Sequence, residues 1–186
     1  MSGCSRAGVR SAVAGVLAMV LVLVLALGLA LAGCGTASAA KAVGGREGQA
    51  LPAVTFTTID GRTVDLAAQR GKVVIVDFWD TWCGPCLKAL PHLQALGTAH
   101  PDSLVVVAVA IGQEGEGKVR QVVAGKQLTM PVAMLGSQPD LVPAFGDIDA
   151  LPTTFLVGPD GVIRKRWVGA QALATYERAV SALLRP

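Results

Sequence analysis

The longest apolar stretch has no periodicity. From Ala12 to Ala32 the chain carries no charged residue over 21 positions, and Arg6 and Arg10 precede it. A positive segment followed by an apolar run is the plan of an export signal. As a helix it would span about 32 Å, enough to cross a bilayer, so an uncleaved anchor fits the same pattern. Residues 35–50, GTASAAKAVGGREGQA, are small, polar and glycine-rich and read as a flexible tether. The reading divides the chain into a signal at 1–33, a tether at 34–50 and one domain at 51–186.

Within the domain the periods of 2 and 3.6 alternate. VTFTTIDGRTVDL alternates apolar and polar positions around Asp60-Gly61, which predicts a β-hairpin. Lys72–Trp79, KVVIVDFW, and Leu104–Ile111, LVVVAVAI, are β-branched runs that predict buried central strands. Between them Leu87, Leu90, Leu93 and Leu96 mark the apolar face of a helix over Cys83–His100, with Pro91 inside it as a source of a kink. A second helix is predicted over Glu114–Lys126, a short strand over Pro131–Leu135 and a short helix over Pro139–Phe145. Thr153–Val157 and Val162–Val168 predict a hairpin across Gly158-Pro159-Asp160-Gly161, and Ala170–Leu184 a last helix. This order predicts an α/β domain whose parallel strands are joined by a right-handed crossover and whose final hairpin adds antiparallel strands.

Composition changes the picture in one place. Without Arg6 and Arg10 the 16 Lys+Arg become 14, against 13 Asp+Glu, so the part after the signal carries a net charge of about +1. No basic field suggests nucleic acid. Lys118, Arg120 and Lys126, like Arg164, Lys165 and Arg166, read as solvated faces.

The cysteines carry the chemistry. Cys4 lies in the signal. Leu31-Ala32-Gly33-Cys34 resembles the lipobox of bacterial lipoprotein signals, which implies that Cys34 takes a lipid and becomes the new N-terminus. The alternative is that Cys34 is a small residue at the end of a membrane helix. Several acyl chains would hold the domain to the membrane, since one binds only marginally. Cys83 and Cys86 then remain as a single close pair. The loop between them is too short for a stabilising staple, because stabilisation grows with loop length. At a strand-to-helix junction Cys83 faces unpaired backbone N–H groups and the positive end of the helix dipole, which favours its thiolate. Cys86, one turn on, is expected to be more buried. Cys83 would attack a partner disulfide, and Cys86 would resolve the mixed disulfide. Gly84 keeps the approach open, and Pro85 suits a first helical turn.

VDFWDTWCGPC is similar to the active-site block of the thioredoxin superfamily, and residues 51–184 resemble its exported, membrane-tethered TlpA/ResA-like branch. The resemblance rests on FW-x-TWCGPC, Pro91, Leu-Pro-Thr-Thr-Phe at 151–155 and the closing Asp-Gly hairpin and helix. It implies a thioredoxin fold: a central mixed sheet flanked by helices, with an N-terminal β-hairpin extension. It implies a membrane-tethered thiol-disulfide oxidoreductase that reduces exported proteins, some members serving cytochrome c maturation. The redox group would be the Cys83–Cys86 disulfide itself, with no separate cofactor and no metal. Electrons would come from a membrane protein, and the domain is expected to act as a monomer. Pro152 matches a proline that is cis in this family and exposes the Leu151 backbone to substrate. Trp82 matches a flat wall of the site, or is plain packing. Asp77 matches a buried acid beneath the second cysteine, a general base for Cys86 with a raised pKa, or is a solvated strand-end residue. Where the family usually has Ala stands Asp80, whose negative charge beside the site is expected to oppose thiolate formation at Cys83 and disfavour acidic partners, or to point to solvent with its charge screened.

Other chemistries fit less well. Zinc needs four ligands and the pair supplies two, with His92 on another helix face. Copper-handling relatives use a CxxxC spacing, and thiol peroxidases lack CGPC. An inert disulfide in a binding module and an oxidising exchanger stay open. Gly-Pro between the cysteines favours the reducing direction; an oxidising exterior pulls the other way.

Overall fold

Lys72 to Trp79 predicted the centre of the sheet, and the centre is there. The computed structural model describes residues 46–51, 53–137 and 141–185. The signal, Cys34 and the tether up to residue 45 lie outside the described residues. Strand β3, Val73–Trp79, is buried at every position. Its apolar residues divide between two faces, because successive side chains point to opposite sides.

Among the described residues seven strands and four α-helices follow in order. β1 (Thr55–Thr57) and β2 (Thr63–Asp65) form an antiparallel hairpin. After β3 come α1 (Gly84–Ala99), β4 (Leu104–Ala110), α2 (Glu116–Gly125), β5 (Val132–Met134) and α3 (Leu141–Phe145). β6 (Thr153–Val157), β7 (Ile163–Val168) and α4 (Leu173–Leu184) close the chain. The main sheet has the order β5-β4-β3-β6-β7. β3, β4 and β5 run parallel, and β6 and β7 run antiparallel to their neighbours. The mixed sheet is the one expected.

One face of the sheet packs Val73, Ile75 and Trp79 against Leu90, Leu93 and Leu96 of α1, Val119 of α2, and Tyr176 and Val180 of α4. Pro91 lies inside α1 on its exposed side. The other face packs Val74, Val76 and Phe78 under Phe56, Phe145 and Phe155. These are the four phenylalanines of the chain, and their neighbouring ring centroids lie 5.1–6.2 Å apart.

Both edges of the sheet are covered, which protects unpaired strands from pairing with other chains. Ile59, just past β1, donates its N–H to Val132 O at 2.7 Å on the β5 edge. At the β7 edge Gly48 N–H reaches Ile163 O at 2.8 Å, and Ile163 N–H reaches Gln49 O at 2.9 Å. Glu47 accepts from Arg166 N at 3.1 Å and pairs with Lys165 at 3.3 Å. Residues 47–50 therefore belong to the domain rather than to the tether where their composition placed them. Small polar residues without periodicity look alike whether they swing free or lie along a strand edge, here through backbone bonds from Gly48 and Gln49 and the Glu47 carboxylate. Among the described residues no helix is long and apolar enough to cross a membrane.

Candidate active site

The cysteine pair sits where β3 gives way to α1. The turn after Trp79 is closed by Cys83 N–H donating to Asp80 O at 3.1 Å. Cys83 is the N-cap residue of α1, in extended conformation, and its Sγ accepts the Cys86 N–H at 3.3 Å. Sulfur thus takes the place that a Ser or Asp oxygen holds in ordinary caps. Pro85 stands in the first turn, where its missing N–H costs nothing. The two sulfurs are joined in a disulfide, with S–S 1.98 Å and Cα–Cα 5.2 Å. Cys83 is 4 % exposed and Cys86 0 %, so Cys86 is the more buried of the two, as expected. On reduction the same N–H and the helix dipole favour thiolate on Cys83.

Asp77 is fully buried. It lies on the face of β3 that also carries Ile75 and Trp79, the face packed by Cys83 and Cys86. Its Oδ1 accepts from Thr154 Oγ1 at 2.6 Å, and Oδ2 has no hydrogen-bond partner among the described residues. Burial pushes its pKa up to about 7, and the Thr154 hydrogen bond opposes that rise. The solvated strand-end reading is thereby excluded.

Asp80 overturns its expectation. Instead of pointing to solvent it is 0 % exposed. Oδ1 accepts from Thr81 N–H at 2.7 Å, and Oδ2 from Gln113 N–H at 3.1 Å. Its carboxylate therefore ties the loop carrying Trp82 and Cys83 to the loop after β4. Gly112, at φ +77°, makes that second loop turn, and a Cβ there would sit 2.2 Å from Met134 Cε. Thr81 extends the tie by a hydroxyl contact to Glu114. A charged residue at the mouth of a loop gives no sign in sequence that two backbone amides will converge on it.

The third wall comes from the start of β6. The Leu151–Pro152 peptide is cis and directly precedes Thr153, which the antiparallel register sets against Phe78 near the end of β3. Pro152 O accepts from Gly169 N–H at 2.8 Å. Leu151 is half-buried against the core that holds the cysteines. Trp82 is 55 % exposed, with Gly84 and Pro85 exposed beside it, so plain packing does not account for it. Cys83, Cys86, Asp77, Trp82, Leu151 and Pro152 thus gather at the C-terminal end of β3, where open α/β sheets place their sites.

Thr154 and Tyr176 complete this site without having been singled out. Thr154 pairs with Asp77 across β3 and β6, and Tyr176 Oη lies 3.3 Å from Thr154 Oγ1. The signal was faint: one Thr in an apolar strand, and the single tyrosine of the chain on the apolar face of α4.

Residues 46–180 match the Redoxin family. The chain is 31 % identical over 140 residues to the thioredoxin-like protein YneN of Bacillus subtilis, covering 74 % of this chain and 81 % of that one. It is 29 % identical over 130 residues to the thiol-disulfide oxidoreductase ResA of Bacillus anthracis, covering 70 % and 74 %. Among solved structures, a thiol:disulfide interchange protein of the thioredoxin family from Chlorobium tepidum superimposes with a TM-score of 0.65 at 27 % identity, covering 75 % of this chain and 99 % of that one.

Proposed function

Because the chain belongs to the Redoxin family and is a thioredoxin-fold protein disulfide oxidoreductase, we propose that it reduces disulfides of exported client proteins, held at a bacterial membrane by lipid on Cys34. The observation that carries the chemistry is Cys83 Sγ at the cap of α1, accepting the Cys86 N–H and joined to a fully buried Cys86. The reduced pair starts with thiolate on Cys83. That thiolate attacks one sulfur of a client disulfide, and the other client sulfur leaves with the bonding electrons. Asp77 takes the proton of Cys86 as general base. The Cys86 thiolate then attacks Cys83 Sγ, and the second client sulfur leaves. The client disulfide gains two electrons and the Cys83–Cys86 pair loses two.

Trp82, Gly84 and Pro85 form the open side against which the client chain lies, and the Leu151 backbone beside cis Pro152 is the ledge that pairs with it. The redox group is the cysteine pair itself. A membrane protein carrying reducing power across the bilayer regenerates the dithiol, and the residues preceding the domain keep the site near that surface. The clients include proteins with a CxxCH haem-attachment motif. Gly-Pro between the cysteines supports the reducing direction, with a reduction potential nearer thioredoxin's, about −270 mV, than a strong oxidant's, about −120 mV.

Equilibration of the pair against glutathione or dithiothreitol buffers measures that potential, and a value near the oxidant end refutes the direction. Client trapping with Cys86→Ser in the native host, followed by mass spectrometry of the mixed disulfides, identifies the substrates. Consumption of peroxide by the wild type at rates rivalling protein reduction would instead make it a thiol peroxidase.

A further inference from the structure

A row of four residues crosses the sheet beneath α1 and α4: Ala108 on β4, Asp77 on β3, Thr154 on β6 and Trp167 on β7, each paired with the next. Thr154 is fully buried, at a strand position where valine would pack equally well and carry no polar atom. Its hydroxyl has one proton, and that proton goes to Asp77 Oδ1 at 2.6 Å. Toward Tyr176, at 3.3 Å, Thr154 Oγ1 can then only accept, so Tyr176 is the donor. Burial raises the Tyr176 pKa, which keeps it a donor. The Trp167 indole stands edge-on to the Tyr176 ring, centroids 5.3 Å apart and planes at 89°, and holds it over Thr154. The chain is directed: tyrosine to threonine to Oδ1. It ends on a carboxyl whose other oxygen has no partner among the described residues.

We propose that Thr154 and Tyr176 are positioning residues of the active site, which orient Asp77 so that Oδ2 is its proton-accepting atom and thereby set the pH at which Cys86 resolves the mixed disulfide. The inference rests on the reading of Asp77 as general base. In the step it governs, the proton of Cys86 Sγ passes to Asp77. The electron pair left on Cys86 forms the bond to Cys83 Sγ as the bond from Cys83 to the client breaks. The client sulfur leaves as a thiolate and is protonated from solvent. The titratable groups on this face are Tyr176 from α4 and the cysteines from α1. β4 offers Val106, Ala108 and Ala110, and β6 offers Leu156 besides Thr154. Asp80, at the end of β3, is the other buried charge among the described residues. Donation from Thr154 stabilises the carboxylate, so removing it raises the pH at which Asp77 becomes a base.

The test is the pH profile of the single-turnover resolution rate in full-length wild type, Thr154→Val, Thr154→Ser, Tyr176→Phe and Asp77→Asn. The wild-type rate rises through a limb near neutral pH. Thr154→Val moves that limb up by about one pH unit, a loss of roughly tenfold on its acid side. Thr154→Ser restores it, Tyr176→Phe moves it up by less, and Asp77→Asn abolishes it. The carbon-13 shift of the Asp77 carboxyl in the oxidised wild type and the Thr154 and Tyr176 variants follows the same order, which gives a readout independent of turnover. If Thr154→Val and Thr154→Ser share the wild-type limb while Asp77→Asn abolishes it, the positioning role is wrong and the general base stands. If Asp77→Asn keeps the limb, the general base falls and the positioning role falls with it.

Discussion

Replacing Asp77 by Asn tests whether a buried acid really sits under the cysteine pair. Asp77 is fully buried, and burial raises its pKa from 3.8 to about 7. Unfolded, the same carboxyl releases its proton near 3.8. Between these values the folded state holds a proton that the unfolded state has lost, so stability falls as pH rises through this window. The difference is about 3 pH units, or roughly 4 kcal/mol at 1.36 kcal/mol per unit. The contribution is intact below pH 4 and fully lost above about pH 8. Asn is isosteric and does not titrate. It keeps an oxygen for the Thr154 hydroxyl but buries an NH₂ in place of Oδ2, at a cost independent of pH. The difference in unfolding free energy between Asp77→Asn and wild type should therefore move by roughly 4 kcal/mol in favour of the variant from pH 4 to pH 8. Urea unfolding of the oxidised proteins, followed by tryptophan fluorescence across that range, measures it. Parallel stability curves, within 1 kcal/mol of a constant offset, would show that Asp77 is not a buried acid with a raised pKa.

Three other perturbations probe the walls of the site. Asp80→Ala leaves the Thr81 and Gln113 amides without their acceptor and should destabilise the domain by roughly 2–3 kcal/mol in thermal or urea melts. Loss of its negative charge should also lower the Cys83 thiol pKa, read by the pH dependence of iodoacetamide alkylation. Neither change would appear if Asp80 merely decorated the surface. Gly112→Ala meets both a left-handed backbone and Met134, and should destabilise by more than 1 kcal/mol, checked by the same melts. Trp82→Ala should leave stability within about 0.5 kcal/mol, since the side chain is more than half exposed, yet lower kcat/KM for a protein disulfide roughly fivefold. Unchanged kcat/KM would remove Trp82 from the client-binding surface.

Much of this molecule was legible because burial leaves a period. β4 reads as an unbroken apolar run, and β3 as one interrupted only by Asp77, because both faces of the sheet are covered, and Leu90, Leu93 and Leu96 marked the buried side of α1. The cysteine pair was legible because its spacing, the Gly-Pro between and the preceding strand together fix a helix start. What escaped depends on backbone geometry that leaves no periodic trace. Residues 47–50 dock through main-chain bonds and one carboxylate, Glu47, none of which follows a period. Asp80 is buried because two amides from separate loops converge on it, a fact of the fold around Gly112. Thr154 and Tyr176 lie 77 and 99 positions from Asp77 along the chain, and only the β3–β6 register and the packing of α4 bring the three together.

The central claim is that Cys83 is the attacking thiol and Cys86 the resolving one. Intact-mass analysis during insulin reduction tests it most directly, using wild type, Cys83→Ser and Cys86→Ser with dithiothreitol as the electron source. The account predicts rapid reduction by the wild type, no acceleration over dithiothreitol alone by Cys83→Ser, and a Cys86→Ser protein that accumulates as a covalent adduct of one insulin chain on Cys83. Full activity in Cys83→Ser, or accumulation of an insulin adduct on Cys86 in that variant with none in Cys86→Ser, would contradict it.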